Sequence, residues 1–439
     1  MPFTGIRLRN FKCFADSGDV PLAPLTVIFG RNNTGKSSIL QSLLLLRQTL
    51  DSSVEDVPRL NLRGPLYPAG AYADVVHQHR SKQHVVMECS LLGRGSGTVE
   101  LEFSSDEPHA PRLTRLRVTS PNTEPVEIRR GRGAGGPYEL AVGGKVQGGA
   151  RGANFGFARN RFLPFIGSEP AHRGRPNLRH RRSRLLADQS MDDLADTLRG
   201  LRSVGAFRAQ PARRYEFHGR VADVADTVGE SVVAALIEDG IRRGRKRGEL
   251  LRGVNRWLKQ VGRIRLLPLR RISKSARIFE LRLKDTDSGR WANFADVGFG
   301  IGQAFPVLVE GLRTPLGGTF LVQEPEIHLH PDAQLAMTDF LVALVRSGRR
   351  VIVESHSENL LLRIRHWITG MGQGRRPLSR DELSIIYVDK ATDGTSHTQV
   401  LHVDELGQIE NWPKEFMEDA TQERMELLEA MAQRAESGK

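Results

Sequence analysis

Eight consecutive residues, Gly30-Arg31-Asn32-Asn33-Thr34-Gly35-Lys36-Ser37, match the pattern G-x-x-x-x-G-K-[ST] in full. Backbone N–H groups of such a loop point inward at phosphate oxygens, and the following helix N-terminus adds positive potential. Lys36 supplies a point charge for β and γ phosphates, and Ser37 a hydroxyl for Mg²⁺. Asn32, Asn33, Thr34 and Ser38 complete the cradle. The plainer alternative is an ordinary glycine-containing turn. The flanks argue against it: Leu25-Thr26-Val27-Ile28-Phe29 reads as a short buried strand, and Lys36 to Leu50 reads as a helix with Ile39, Leu40, Leu43, Leu44 and Leu46 apolar.

A phosphate loop alone does not cleave a nucleotide; it needs a metal, a group that positions water and something that covers the terminal phosphate. Three later segments offer these. Phe320-Leu321-Val322-Gln323-Glu324-Pro325-Glu326 is an apolar strand ending in polar residues, where α/β sheets bind ligands. Glu324 is the candidate general base. Val351-Ile352-Val353-Glu354-Ser355-His356-Ser357 is a second such end, with His356 placed to bond a γ-phosphate or the attacking water. Asp296-Val297-Gly298-Phe299-Gly300-Ile301-Gly302-Gln303 opens an apolar helix, making a second anion-binding helix start. Two such starts in one chain are economically explained if the second caps ATP held by another copy. Gly298, Gly300, Gly302 and Gln303 are its candidate contacts; a plain tight turn is the alternative.

The elements that must hold these residues alternate strand and helix. After residue 290 we read strand 320–322, helix 332–345, strand 351–353 and strand 383–388, which implies a mostly parallel sheet. The start of the chain is β-rich, with further strands expected at 84–91, 98–103 and 112–119 and a glycine-rich hairpin or loop over 131–152. The predicted fold class is α/β with a mixed N-terminal sheet, a mostly parallel sheet flanked by helices, and an inserted region. Its parts are 1–120, a lobe with the phosphate loop; 121–290, an inserted basic and largely helical region with helices near 191–201 and 226–238; 291–403, a second lobe; and 404–439, an acidic tail with a stripe of Met425, Leu427, Leu428 and Met431.

The chain has 439 residues, 39% hydrophobic and 26% charged, with net charge +13. The charge is concentrated. Residues 151–184 carry +8 and residues 241–282 carry +13, leaving −8 elsewhere. A concentrated basic surface is what contact with a phosphate backbone requires, and DNA is the expected partner; solvated helix faces are the other reading. No run of 18 apolar residues is present, and no short apolar segment follows a basic start, so no membrane partner is expected. Two cysteines, Cys13 and Cys89, give neither metal spacing nor a disulfide framework, which suits a reducing cytoplasm.

In this order these elements resemble the ABC-type ATPase heads of the RecF, SMC and OLD-nuclease group. The opening Ile6-Arg7-Leu8-Arg9-Asn10-Phe11-Lys12-Cys13-Phe14 is similar to their first strand and turn, whose cation near the nucleotide would fall on Lys12. Glu324-Pro325-Glu326-Ile327-His328-Leu329-His330-Pro331 is similar to a stretch of the OLD-like and Septu-like bacterial ATPases, and Val353-Glu354-Ser355-His356-Ser357 to their switch-histidine strand. Asp404 to Pro413 resembles a small C-terminal domain of unknown function. The resemblance implies ATP and Mg²⁺ as cofactors, a head-to-head homodimer with ATP at its interface, and work on DNA in repair or anti-phage defence; our first hypothesis adds signalling to a partner effector protein.

Three departures stand out. Gln323 occupies a position usually acidic and serving Mg²⁺, so turnover is expected to be slow. Gly302 replaces a serine of the capping turn. The glutamine of the ABC Q-loop has only Gln78 as a weak candidate. Asp381, Glu382 and Asp389 lack the spacing of a nuclease centre, so no nuclease activity is expected. The competing expectation is a nucleotide-gated scaffold with little turnover.

Overall fold

The apolar runs that flank the phosphate loop and the two polar strand ends become neighbours in one sheet. The computed structural model describes residues 3–50, 58–93, 95–105, 111–131, 138–149, 155–156, 163–166, 178–217, 219, 231–242, 247–273, 277–370 and 376–413. Its six-stranded sheet has the order Leu201–Val204, Thr319–Gln323, Arg350–Glu354, Leu25–Phe29, Leu383–Lys390 and Ser396–Leu401. The first five strands are parallel and the last returns antiparallel. Strands of this kind are covered on both faces, so their side chains alternate between two cores. Ile28, Leu321, Ile352 and Ile386 enter one core. Val27, Phe320, Val322, Val351, Val353 and Ile385 enter the other.

On the first face lies the helix Lys36–Leu50, most of whose residues are buried. Its leucines share a core with a nine-stranded sheet built from Phe3–Phe11 and the strands up to Lys145–Gly149. The helix is therefore clamped between two sheets with its first turn at the sheet edge. On the second face pack Glu249–Gly262, Phe299–Arg313, Pro331–Arg346 and Glu358–Thr369. Local signals start two of them: Pro331 occupies the first turn of one. The Ser357 hydroxyl accepts from the N–H of Leu360 at the head of another.

The expected strands and helices fall on observed ones at 36–50, 85–91, 97–104, 112–119, 319–323, 331–346, 350–354 and 383–390. The glycine-rich stretch holds a hairpin whose two turn residues, Gly143 and Gly144, both have positive φ (59° and 79°), as a two-residue turn requires.

The strip from 121 to 290 is less separate than its composition suggests. Val126–Arg130, Tyr138–Val142 and Lys145–Gly149 extend the N-terminal sheet, and Leu201–Val204 becomes an edge strand of the parallel sheet. It contains helices Leu178–Arg199, Ser231–Ile241 and Glu249–Gly262, but also several short strands. Basic charge masked the alternating apolar residues of these strands. The greater part of the 151–184 stretch, residues 243–246 and the stripe at 425–431 lie outside the described residues. Among the described residues, no helix is long and apolar enough to cross a membrane.

Candidate functional site

The phosphate loop leaves the carboxyl end of Leu25–Phe29 and turns into the helix that begins at Lys36. Two glycines are sterically required. Gly30 has φ +150° and a Cβ there would come within 2.2 Å of the Val388 carbonyl oxygen; Gly35 has φ +96° and its Cβ would meet the Cys13 sulfur at 2.0 Å. Lys36 is buried, and its ammonium donates to the Arg31 carbonyl at 2.6 Å, which the Thr34 hydroxyl also bonds at 2.9 Å. Burial pushes the Lys36 pKa down, against the pull of Glu354 and Glu324. Arg31, Asn32 and Asn33 are exposed at the tip.

The turn Asn10–Cys13 packs beneath this loop, with Asn10 and Lys12 both in the left-handed region. The Lys12 ammonium donates to Gln41 Oε1 at 2.8 Å and lies 4.7 Å from the centre of the Tyr67 ring. Its charge is thus turned onto the first helix rather than free at the loop. Gln78 is exposed on a left-handed turn whose neighbour His77 bonds the Lys12 carbonyl at 2.9 Å through Nδ1.

At the end of the adjoining strands, Gln323 stands opposite Glu354, and Glu354 opposite Ile28. Glu324 follows with φ +44°, a left-handed conformation that costs a non-glycine residue about 1–3 kcal/mol. Two contacts hold it there: its N–H donates to the Glu354 carbonyl at 2.8 Å, and Arg208 Nη2 donates to its own carbonyl at 3.0 Å. Arg208 also reaches the carbonyls of Gly205, Gln303 and Gln323, at 2.9, 3.1 and 2.5 Å. It is buried, and loss of water lowers its pKa to about 10. One guanidinium therefore ties the Glu324 strand end to the helix of the capping turn.

His356 Nε2 lies 4.0 Å from Glu324 Oε1, both side chains being about one-third exposed. Burial, and next the charge of Lys36, hold its pKa below the usual histidine value. Its position is set from behind. Glu326 Oε1 accepts from the Ser355 hydroxyl at 2.6 Å and from the His356 N–H at 2.9 Å. Burial raises the Glu326 pKa, and its second oxygen, Oε2, is buried without a hydrogen-bond partner among the described residues.

The capping turn begins the helix Phe299–Arg313 at Gly298. Gly300 is a required glycine, since a Cβ would come within 2.4 Å of the His328 carbonyl oxygen. Phe299 packs edge-on against the His328 ring at 4.7 Å. Gly298 and Phe299 are exposed, whereas Gly302 and Gln303 are buried in their own subunit. The Gln303 backbone carbonyl accepts from Arg208 at 3.1 Å.

Two residues that sequence reasoning missed complete the site. Arg208 had no local signal in an arginine-rich stretch. Glu354 had one: like Glu324, it ends an apolar strand run. Its carboxylate is 4% exposed; Oε1 accepts from the Ser37 hydroxyl at 2.6 Å and Oε2 from the Gln323 amide at 2.7 Å. Burial raises its pKa, while those two hydrogen bonds and Lys36 oppose the shift. A hydroxyl, a carboxylate and an amide are the oxygen donors that suit Mg²⁺. Among the described residues, no group of three or more His, Cys, Asp or Glu side chains could hold a metal alone, so nucleotide oxygens and water would have to complete the shell.

Three family models match the chain. Residues 1–88 match "AAA ATPase domain", residues 168–363 match "AAA domain, putative AbiEii toxin, Type IV TA system", and residues 378–427 match a protein of unknown function, DUF3696. No curated protein matches. Among solved structures, the chain is similar to the SMC head domain from Thermotoga maritima, at 11% identity and TM-score 0.40, over 92% of this chain and 100% of that one. It is similar also to an SmcHead bound to the C-winged helix domain of ScpA, at 12% identity and TM-score 0.46, over 92% and 99%. A third is the Smc head domain with an extended coiled coil bound to the C-terminal domain of ScpA derived from Pyrococcus furiosus, at 12% and 0.40, over 98% and 99%. The matched models bracket the phosphate loop and the strand ends that face it, and with the sheet order above they support a P-loop ATPase head: AAA models match residues 1–88 and 168–363, and the DUF3696 model matches residues 378–427.

Proposed function

We propose that this protein binds and slowly hydrolyses ATP in a site completed by a second copy, and couples that cycle to contact with DNA and to a partner effector. The observation that carries this reading is the convergence of Lys36, Ser37, Glu324 and His356 at the carboxyl ends of three adjacent parallel strands. Lys36 and the loop N–H groups of residues 30–38 bind the phosphates, and Lys12, held against Gln41 and Tyr67, would have to turn from them to add its charge. Glu324 takes the proton of the attacking water, and His356, neutral near pH 7, orients that water or the γ-phosphate. Mg²⁺, held at Ser37 and the Gln323–Glu354 pair, would neutralise charge on the β and γ oxygens when bound. The exposed start of the capping helix at Gly298–Gly300 faces the other copy's ATP.

The basic region supports a DNA contact. Arg242, Arg252 and Arg256 line a cleft of about 700 Å³ whose wall also carries Glu238, Asp239 and Glu249, and Arg252 and Arg256 lie four residues apart on one helix face. Defence or repair as the setting, and a cytoplasmic location, rest on the resemblance and on cysteine usage. A test is to measure ATP affinity, phosphate release and mass by light scattering with and without Mg²⁺-ATP. Binding, slow release and a doubled mass are expected; a monomer that binds no ATP would end the proposal.

The second reading, a nucleotide-gated scaffold, is favoured by an amide at 323 and by Gly302 in place of a hydroxyl. Tight ATP binding with no phosphate release would select it.

A further inference from the structure

We infer that Glu354 supplies the negative charge of the metal position, taking from the neighbouring strand the part that residue 323 lacks. This rests on the nucleotide site proposed above. Gln323 and Glu354 are register partners on adjacent parallel strands, so a carboxylate at either position reaches the same point above the sheet edge. The Gln323 amide donates to Glu354 Oε2, which fixes that carboxylate instead of competing with it.

The other oxygen receives the Ser37 hydroxyl at 2.6 Å. A hydroxyl has one proton and two lone pairs, so donating to Glu354 leaves the Ser37 oxygen free to face a cation. The carboxylate also fixes the direction of those lone pairs. Glu354 is enclosed, within reach of the Lys36 charge, and no Arg or Lys forms an ion pair with it among the described residues. A buried carboxylate is costly to keep without a cation, and two neutral donors do not make up that cost. A bound cation would. A plain latch for the loop serine would need only a neutral acceptor, which glutamine at 354 provides; this difference separates the two roles.

The test is calorimetric titration of ATP at varied free Mg²⁺, with Mn²⁺ binding followed by electron paramagnetic resonance. The proteins are the native chain, Glu354→Gln, Gln323→Ala and the transposed pair Gln323→Glu with Glu354→Gln. In the native chain Mg²⁺ should tighten ATP binding. In Glu354→Gln that gain should fall at least tenfold and the bound-Mn²⁺ signal should weaken, with metal-free ATP affinity unchanged or tighter. Gln323→Ala should keep most of the gain, and the transposed pair should regain it. Native Mg²⁺ dependence in Glu354→Gln overturns the inference. So does a folded transposed pair lacking that dependence, the arm that decides if Glu354→Gln alone is unfolded. A native chain that binds no ATP at all instead defeats the parent proposal, before any variant is compared.

Discussion

The Glu324 carboxylate and the His356 imidazole face each other across 4.0 Å, yet each is held by a different partner. The Glu324 backbone is fixed by Glu354 and Arg208, and the His356 backbone by Glu326.

Glu324→Gln should leave ATP affinity within about threefold of the native value and lower turnover about 10²–10⁴-fold, the usual range for losing a general base. An ATP-bound dimer should then accumulate in size exclusion with light scattering. Turnover at the native rate would remove Glu324 from the role.

Replacing Lys36 with Ala removes a buried cation that carries a desolvation cost in the free protein. ATP affinity should fall at least 100-fold by calorimetry, with the thermal midpoint unchanged or raised. A lower midpoint with retained affinity would mean the lysine serves the fold and not the phosphate.

Arg208→Met leaves the carbonyls of Gly205, Gln303, Gln323 and Glu324 without their shared donor. At about 1–3 kcal/mol for a buried group left unbonded, a loss of at least about 3 kcal/mol is expected in urea unfolding. Turnover should fall too, because Glu324 loses one of the two interactions that hold it left-handed.

Glu326→Gln tests a buried acid by pH. The folded pKa of Glu326 is raised, so the native chain is fully stabilised below the unfolded value near 4.5 and loses that stability as pH rises through the folded pKa. Glutamine at 326 keeps the acceptor for Ser355 and His356 and carries no charge. Relative to the native chain, the variant should gain stability as pH climbs above about 4.5 and level off beyond the folded pKa. A pH-independent difference between the two would show that Glu326 does not titrate abnormally.

Changing Arg242, Arg247, Arg252 and Arg256 together to Ala should flatten the dependence of DNA affinity on salt, by about 0.9 in log–log slope for each phosphate that is no longer neutralised. Fluorescence anisotropy on duplex DNA between low and moderate salt measures it. An unchanged slope would take this surface out of the interface.

Local signals made much of this molecule legible. The loop 30–37, the helix behind it and the two polar strand ends announce themselves within a few residues each, because apolar periodicity and glycine placement are local. What escaped reading depends on which strands lie side by side. Nothing near Glu354 says that Gln323 is its register partner, nor that Ser37 ends up against it. Arg208 was invisible for a related reason: its function is to bind carbonyls from distant elements, and Arg213 and Arg214 look the same in sequence. A turn's periodicity likewise does not say which side of its helix a neighbouring loop will cover: Pro211 lies against Gly302, and Arg208 bonds the Gln303 carbonyl.

The glycine at position 30 nests against the carbonyl of Val388, and the N–H of Ser396 donates to the Cys13 carbonyl at 2.9 Å, under the same loop. Both partners belong to the closing strand pair, within the span matched to the domain of unknown function. That segment is thus masonry of the cradle and no mere appendage. A chain cut before residue 378 would lose one wall of the phosphate loop, because Val388 and Ser396 go with it.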